Sequence, residues 1–141
     1  MRLFVDTSAW IALYYRGDTA HARARASWES LQRQPARLLT SDYVFDETIT
    51  LMRVRGGHTA AMRLGELLLR SEILEMTEVT AQIRAQAWNV FVQHDGQDFS
   101  FTDCTSFAIM RELGLMDAFA FDDHFTQMGF RIWSHPRPSP G

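Results

Sequence analysis

RLFVDTSAW, residues 2–10, sets a short apolar run, Leu3 to Val5, against an acid and two hydroxyls, Asp6-Thr7-Ser8, before apolar residues resume. Such a run bounded by polar residues reads as a buried strand, and Ser8 is a good N-cap for a short helix through Tyr15. A strand that feeds directly into a helix opens an α/β chain. In open α/β sheets ligands bind beyond the carboxyl ends of the strands, which is where Asp6 falls.

The pattern continues outward. His21 to Gln34 is Ala-rich and charged and is closed by Pro35, as a second helix would be. Leu38 to Thr40 reads as a strand, and Asp42 as the cap of a helix to about Arg55, broken by Gly56-Gly57. Further helices are expected over Thr59 to Arg70, over Ala81 to Gln93 with Thr80 as cap, and over Thr102 to Leu113 before Gly114. Ile73 to Met76 reads as a strand, as does AFAF at 118–121, which ends at Asp122. A short helix follows through Met128, and Arg131 to Trp133 reads as an edge strand. The fold expected is a three-layer α/β/α arrangement around a mainly parallel sheet of four to five short strands. Residues 1–134 are expected to form a single domain, with 135–141 as a flexible tail.

The totals narrow the chemistry. A chain of 141 residues with 46% apolar and 22% charged residues can bury a substantial core. Cys104 is the only cysteine, so no internal disulfide forms, and no Cys/His group has zinc spacing. With no apolar run near membrane-span length and no visible export signal, the chain reads as cytoplasmic and without membrane association. All fourteen basic residues are Arg, which excludes mechanisms that need a lysine, the P-loop scheme among them.

Four carboxylates stand out. Asp6 and Asp122 each follow a strand candidate and so project at the same sheet edge, although either could serve as an ordinary turn or helix cap. At 100° per residue Glu47 lies at the margin of an apolar arc formed by Val44, Phe45, Ile49, Leu51 and Met52, whereas Asp46 points with Asp42, Thr50 and Arg53 toward water. Asp103 sits on a nearly all-apolar helix. It also completes an S-x-x-D capping box with Ser100, so cap and function are both open there. Four carboxylates gathered together would repel one another unless a cation neutralised them, and oxygen-only ligation favours Mg²⁺ or Mn²⁺. Carboxylate-bound Mg²⁺ in a strand-end cleft suits phosphoryl chemistry and requires no catalytic His or Lys. The five histidines are scattered, and His124 reads as a structural residue of a short exposed helix.

The net charge of −3 conceals a partition. With the four acids set aside the remainder is +1, and the stretches Arg16 to Arg37 and Arg53 to Arg70 each carry +3, while Asp98 to Asp123 carries −5. An acidic centre between Arg-bearing arms is compatible with a phosphodiester backbone, with Arg16, Arg53 and Arg55 as the candidate contacts.

These segments, LFVDTSAW, SDYVFDETITL, FSFTDCTSFAIM and AFAFDDHF, span nearly the whole chain, and together they resemble the PIN-domain ribonucleases, in particular the VapC-type toxins of toxin–antitoxin pairs. Carried over residue by residue, that family's acidic quartet falls on Asp6, Glu47, Asp103 and Asp122. Ser8 and Thr102 match its hydroxyls beside the acids, where they orient carboxylates or touch phosphate. The resemblance implies a Mg²⁺- or Mn²⁺-dependent endoribonuclease that leaves a 5′-phosphate and a 3′-hydroxyl. It further implies a homodimer silenced by an antitoxin whose tail occupies the cleft. Asp123 stands where a basic residue is common, which leaves Asp122 and Asp123 competing for the fourth position. Two other readings are weighed against this one. A haloacid-dehalogenase-type phosphatase fails because Ser8 replaces its second acid and no lysine exists. A PIN-like module without catalysis, binding RNA or serving as a scaffold, is disfavoured because idle clustered acids would only destabilise the fold.

Overall fold

The computed structural model describes residues 1–133, and the expected tail at 135–141 lies outside the described residues. The chain starts with strand β1 (Arg2–Val5), helix α1 (Thr7–Tyr14) and helix α2 (His21–Gln32). Strand β2 (Arg37–Ser41) leads into α3 (Asp42–Gly56) and α4 (His58–Arg70). Strand β3 (Leu74–Thr77) is followed by α5 (Ala81–Gln93) and α6 (Phe101–Leu113), and then by β4 (Asp117–Phe119), α7 (His124–Gln127) and β5 (Arg131–Ile132).

All four strand pairings among the described residues are parallel, in the order β3-β2-β1-β4-β5. A parallel sheet needs both faces covered, and the helices between its strands provide that cover in a three-layer α/β/α arrangement. The central strand shows the result: Leu3, Phe4 and Val5 are fully buried. Phe4 registers with Leu39 on one side and Ala118 on the other, so β1 is clamped between β2 and β4. Edge strands β3 and β5 retain exposed or half-buried positions. Aromatic packing of Phe99 on Phe107 and of Phe107 on Phe125 ties α6 to the α7 region.

Three local expectations are corrected. Asp6, not Ser8, caps α1, because its carboxylate accepts from the Ser8 backbone N–H. Ser41, not Asp42, caps α3, since its hydroxyl reaches Val44 N, while Asp42 Oδ1 holds the Val79 N–H at 2.9 Å. The strand expected over AFAF ends at Phe119, so Ala120 and Phe121 carry the chain irregularly to Asp122. There the Phe121 N–H donates to Ser8 Oγ at 3.0 Å instead of to a neighbouring strand.

Candidate active site

Helices and strand ends bring the acids into one cavity of about 400 Å³, whose lining includes Asp6, Ser8, Glu47, Asp103, Asp122 and His124. Asp6 is delivered by the end of β1, where its backbone N–H donates to Phe119 O at 3.0 Å and so anchors it against β4. Its Oδ2 accepts from the Ser8 N–H at 3.1 Å and from the Ser8 hydroxyl at 2.6 Å. The same hydroxyl accepts from Phe121 N, so Ser8 couples the orientation of Asp6 to the segment that presents Asp122. Asp6 is only 2% exposed, yet its Oδ1 has no hydrogen-bond partner among the described residues.

Asp103 is both a cap and a wall of the cavity. Its Oδ2 accepts from Ser100 N at 3.0 Å, and the Ser100 hydroxyl accepts from Asp103 N at 3.0 Å, completing a capping box at the start of α6. The same Oδ2 lies 2.7 Å from His124 Nδ1. Asp122 Oδ1 accepts from the His124 backbone N–H at 3.1 Å, an Asx-type turn, and its Oδ2 lies 3.7 Å from His124 Nδ1. Asp123 turns away, exposed, and accepts from Gln127 Nε2 at 2.9 Å. Of the two adjacent acids, therefore, Asp122 faces the cavity.

Glu47 projects half-buried from α3, and Asp46 is exposed beside it, as the helical geometry requires. The Thr102 hydroxyl faces Glu47 and favours its charged form. The Thr7 hydroxyl also faces it, although the geometry there falls short of a hydrogen bond. Among the expected arginines, Arg55 lines the cavity, held 3.8 Å from Asp18, whereas Arg16 and Arg53 are exposed outside its lining. Arg23 lines the cavity instead, with its guanidinium 5.5 Å from the centre of the Phe121 ring.

The electrostatics follow from burial and crowding. Burial, then the neighbouring Asp122 charge, lifts Asp6 to about 7, against the opposing hydrogen bond from Ser8. Burial likewise raises Glu47, with Asp103 and Asp122 adding to the effect and Thr7 and Thr102 opposing it. Asp122 is raised chiefly by burial, and the His124 backbone bond offsets part of that rise. Burial alone would depress His124, but the charges of Asp103 and Asp122 outweigh it and raise its pKa.

A buried carboxylate oxygen without a partner is rare and calls for a counter-ion. Asp6 Oδ1, in a pocket walled by further carboxylates, fits a hard divalent cation bound through oxygen. Asp103, Asp122 and His124 each offer a donor atom within 4.8 Å of the others. Reading the sequence missed His124. The signal available was its position two residues beyond a strand-end acid whose Asx turn folds the next side chain back toward the sheet edge.

Comparison with known proteins agrees with this architecture. The family profile described as PIN domain matches residues 3–131. Over 128 residues the chain is 43% identical to "23S rRNA-specific endonuclease VapC20" of Mycobacterium tuberculosis, an alignment covering 91% of this chain and 95% of that protein. The crystal structure of VapC20, described as a sarcin-ricin loop cleaving toxin, superposes with a TM-score of 0.84 at 42% identity, again covering 91% of this chain and 95% of that one. The VapBC-1 structure from nontypeable Haemophilus influenzae shares the fold, with a TM-score of 0.66 at 16% identity, covering 95% of this chain and 98% of that one.

Proposed function

This chain belongs to the PIN-domain family, and from that premise we propose that it is the toxin of a toxin–antitoxin pair and cleaves ribosomal RNA at a cavity built by Asp6, Glu47, Asp103 and Asp122. The observation that carries the site assignment is the convergence of four acids from β1, α3, α6 and the segment after β4, with a buried oxygen of Asp6 left unpaired. Asp6, Asp103, Asp122 and Glu47 would hold Mg²⁺ or Mn²⁺. Such an ion, when bound, polarises a phosphate oxygen and lowers the pKa of water.

The chain's own side chains have separable tasks. Ser8 fixes the Asp6 carboxylate and the Phe121 backbone together. Thr102 faces Glu47 at the cavity wall, where its hydroxyl favours the charged carboxylate that a cation requires. Arg55 and Arg23 at the rim offer positive charge to the phosphates flanking the scissile bond. RNA loops with unstacked bases are what such an open cavity admits, and the relative's named target, a loop of 23S rRNA, belongs to that class.

The reading includes a cognate antitoxin and a homodimer. Exposed apolar side chains support the latter: Val54 on α3 and the stacked pair Trp88 and Phe91 on α5, with Val92 beside them. Light scattering of the purified protein should give twice the monomer mass. The function is tested by incubating purified protein with end-labelled sarcin–ricin-loop RNA, other rRNA fragments and tRNA, in Mg²⁺ and in Mn²⁺, with EDTA and Asp103→Asn as controls. Cuts in the loop that vanish in both controls are expected. Uncut RNA throughout, with folded protein that binds metal, would overturn the nuclease reading.

A further inference from the structure

His124 does not belong to the acidic quartet, yet its ring faces two of the acids. Nδ1 lies 2.7 Å from Asp103 Oδ2 and 3.7 Å from Asp122 Oδ2. Donor atoms in neighbouring positions around a six-coordinate divalent ion, with bonds a little over 2 Å, stand about 3 Å apart. The two separations bracket that value. The ring is not free to wander: it packs edge-on against Phe99 with centroids 5.6 Å apart, and the His124 backbone is pinned to Asp122 Oδ1. Asp122 Oδ2 remains free of that backbone bond. Asp6, whose buried Oδ1 has no partner among the described residues, lines the same cavity, which is independent reason to expect a cation there.

We propose that His124 is itself a ligand, contributing an imidazole nitrogen to the cation that Asp103 and Asp122 hold, and that this nitrogen biases the site toward Mn²⁺ over Mg²⁺. The inference rests on the metal-site reading above and deepens it. The physical reason is ligand softness. Mg²⁺ takes oxygen donors and gives up its waters reluctantly, whereas imidazole binds the later divalent ions progressively better, so replacing an oxygen position by nitrogen favours Mn²⁺. Ligation requires neutral imidazole with its proton on Nε2 and the Nδ1 lone pair turned toward the ion. The ring position needs no rotation for this, because Nδ1 is already the atom that faces both carboxylates.

The test uses the wild-type chain. Mn²⁺ is bound to metal-free protein and examined by pulsed electron paramagnetic resonance, once with natural-abundance protein and once with ¹⁵N-histidine labelling. A directly coordinated histidine gives a ¹⁴N modulation that is replaced by the ¹⁵N signature in the labelled sample. That replacement, together with a Mn²⁺-to-Mg²⁺ affinity ratio that falls about tenfold in His124→Gln measured by competition titration, is the expected result. Bound Mn²⁺ without histidine coupling would overturn the ligand assignment and leave the carboxylate site standing. No Mn²⁺ binding by the wild-type protein would overturn both. Because the spectroscopic arm needs only isotope substitution, it stands even where the variant misfolds.

Discussion

Asp6 has an unfavourable state available to it, a buried anion with one bare oxygen. Its pKa rises from an ordinary 3.8 to about 7 in the folded protein. Below pH 4 the carboxyl is neutral whether the chain is folded or not. Between 4 and 7 the unfolded chain ionises and the folded one resists, so stability falls with pH, by a ceiling on the order of 4 kcal/mol. His124, also raised, acts in the same sense, since the stability its protonation contributes is lost as pH climbs through its folded pKa. Metal-free protein should therefore melt several degrees lower at pH 8 than at pH 5 by differential scanning calorimetry. Asp6→Asn should flatten that difference while abolishing cleavage, and a variant as pH-sensitive as wild type would contradict the account. Among the arginines, Arg55→Gln should weaken RNA binding and lower the slope of log affinity against log salt by about one, with Arg16→Gln leaving both unchanged in a filter-binding assay. The acids were legible because strand ends and helix faces constrain where a carboxylate can point. Arg23 and His124 were not, because their places depend on contacts with Phe121 and Phe99 from remote parts of the chain.

At the scale of elements, α6 begins with two residues that serve each other. Ser100→Ala removes a cap and should cost about 1 kcal/mol in urea unfolding. Asp103→Asn keeps an acceptor oxygen for the Ser100 N–H, so its melting curve should stay within a few degrees of wild type while cleavage is lost. A large destabilisation by that substitution would assign Asp103 to the fold and not to the chemistry. The sequence question of cap or function does not force a choice, because the one side chain completes the capping box and also lines the cavity. Helix extents were readable from caps and glycines, as at Gly114, whose φ of +68° ends α6 in a left-handed turn. Capping residues one position apart were harder. Ser41 and Asp42 are both good caps by type, and what decided between them was the distant Val79 N–H, which occupies Asp42. The shortened β4 has a similar cause: Ser8 takes the Phe121 N–H that a longer strand would have given to the sheet.

For the whole molecule, β1 is the hinge of stability as well as the origin of the site. Leu3→Ala in this fully buried strand should cost about 2–5 kcal/mol, measured as a lowered midpoint in chemical denaturation. Mn²⁺ at saturating concentration should raise the melting temperature of wild type and do little for Asp6→Asn, because a ligand stabilises only the state that binds it. Parallel α/β architecture was legible from strands alternating with helices. The order of the strands was not, because neighbours in a parallel sheet are chosen by three-dimensional packing and not by adjacency in the chain. That order carries a consequence for biosynthesis. Of the described strands the first made is the middle of the sheet, and one of its two partners, β4, is made last but one. At translation speeds of roughly 5–20 residues per second, Asp6 waits on the order of ten seconds for Asp122 to be synthesised. Throughout that interval the cavity lacks one of its four acids, so any nuclease activity that needs all four can arise only after residue 122 has been added.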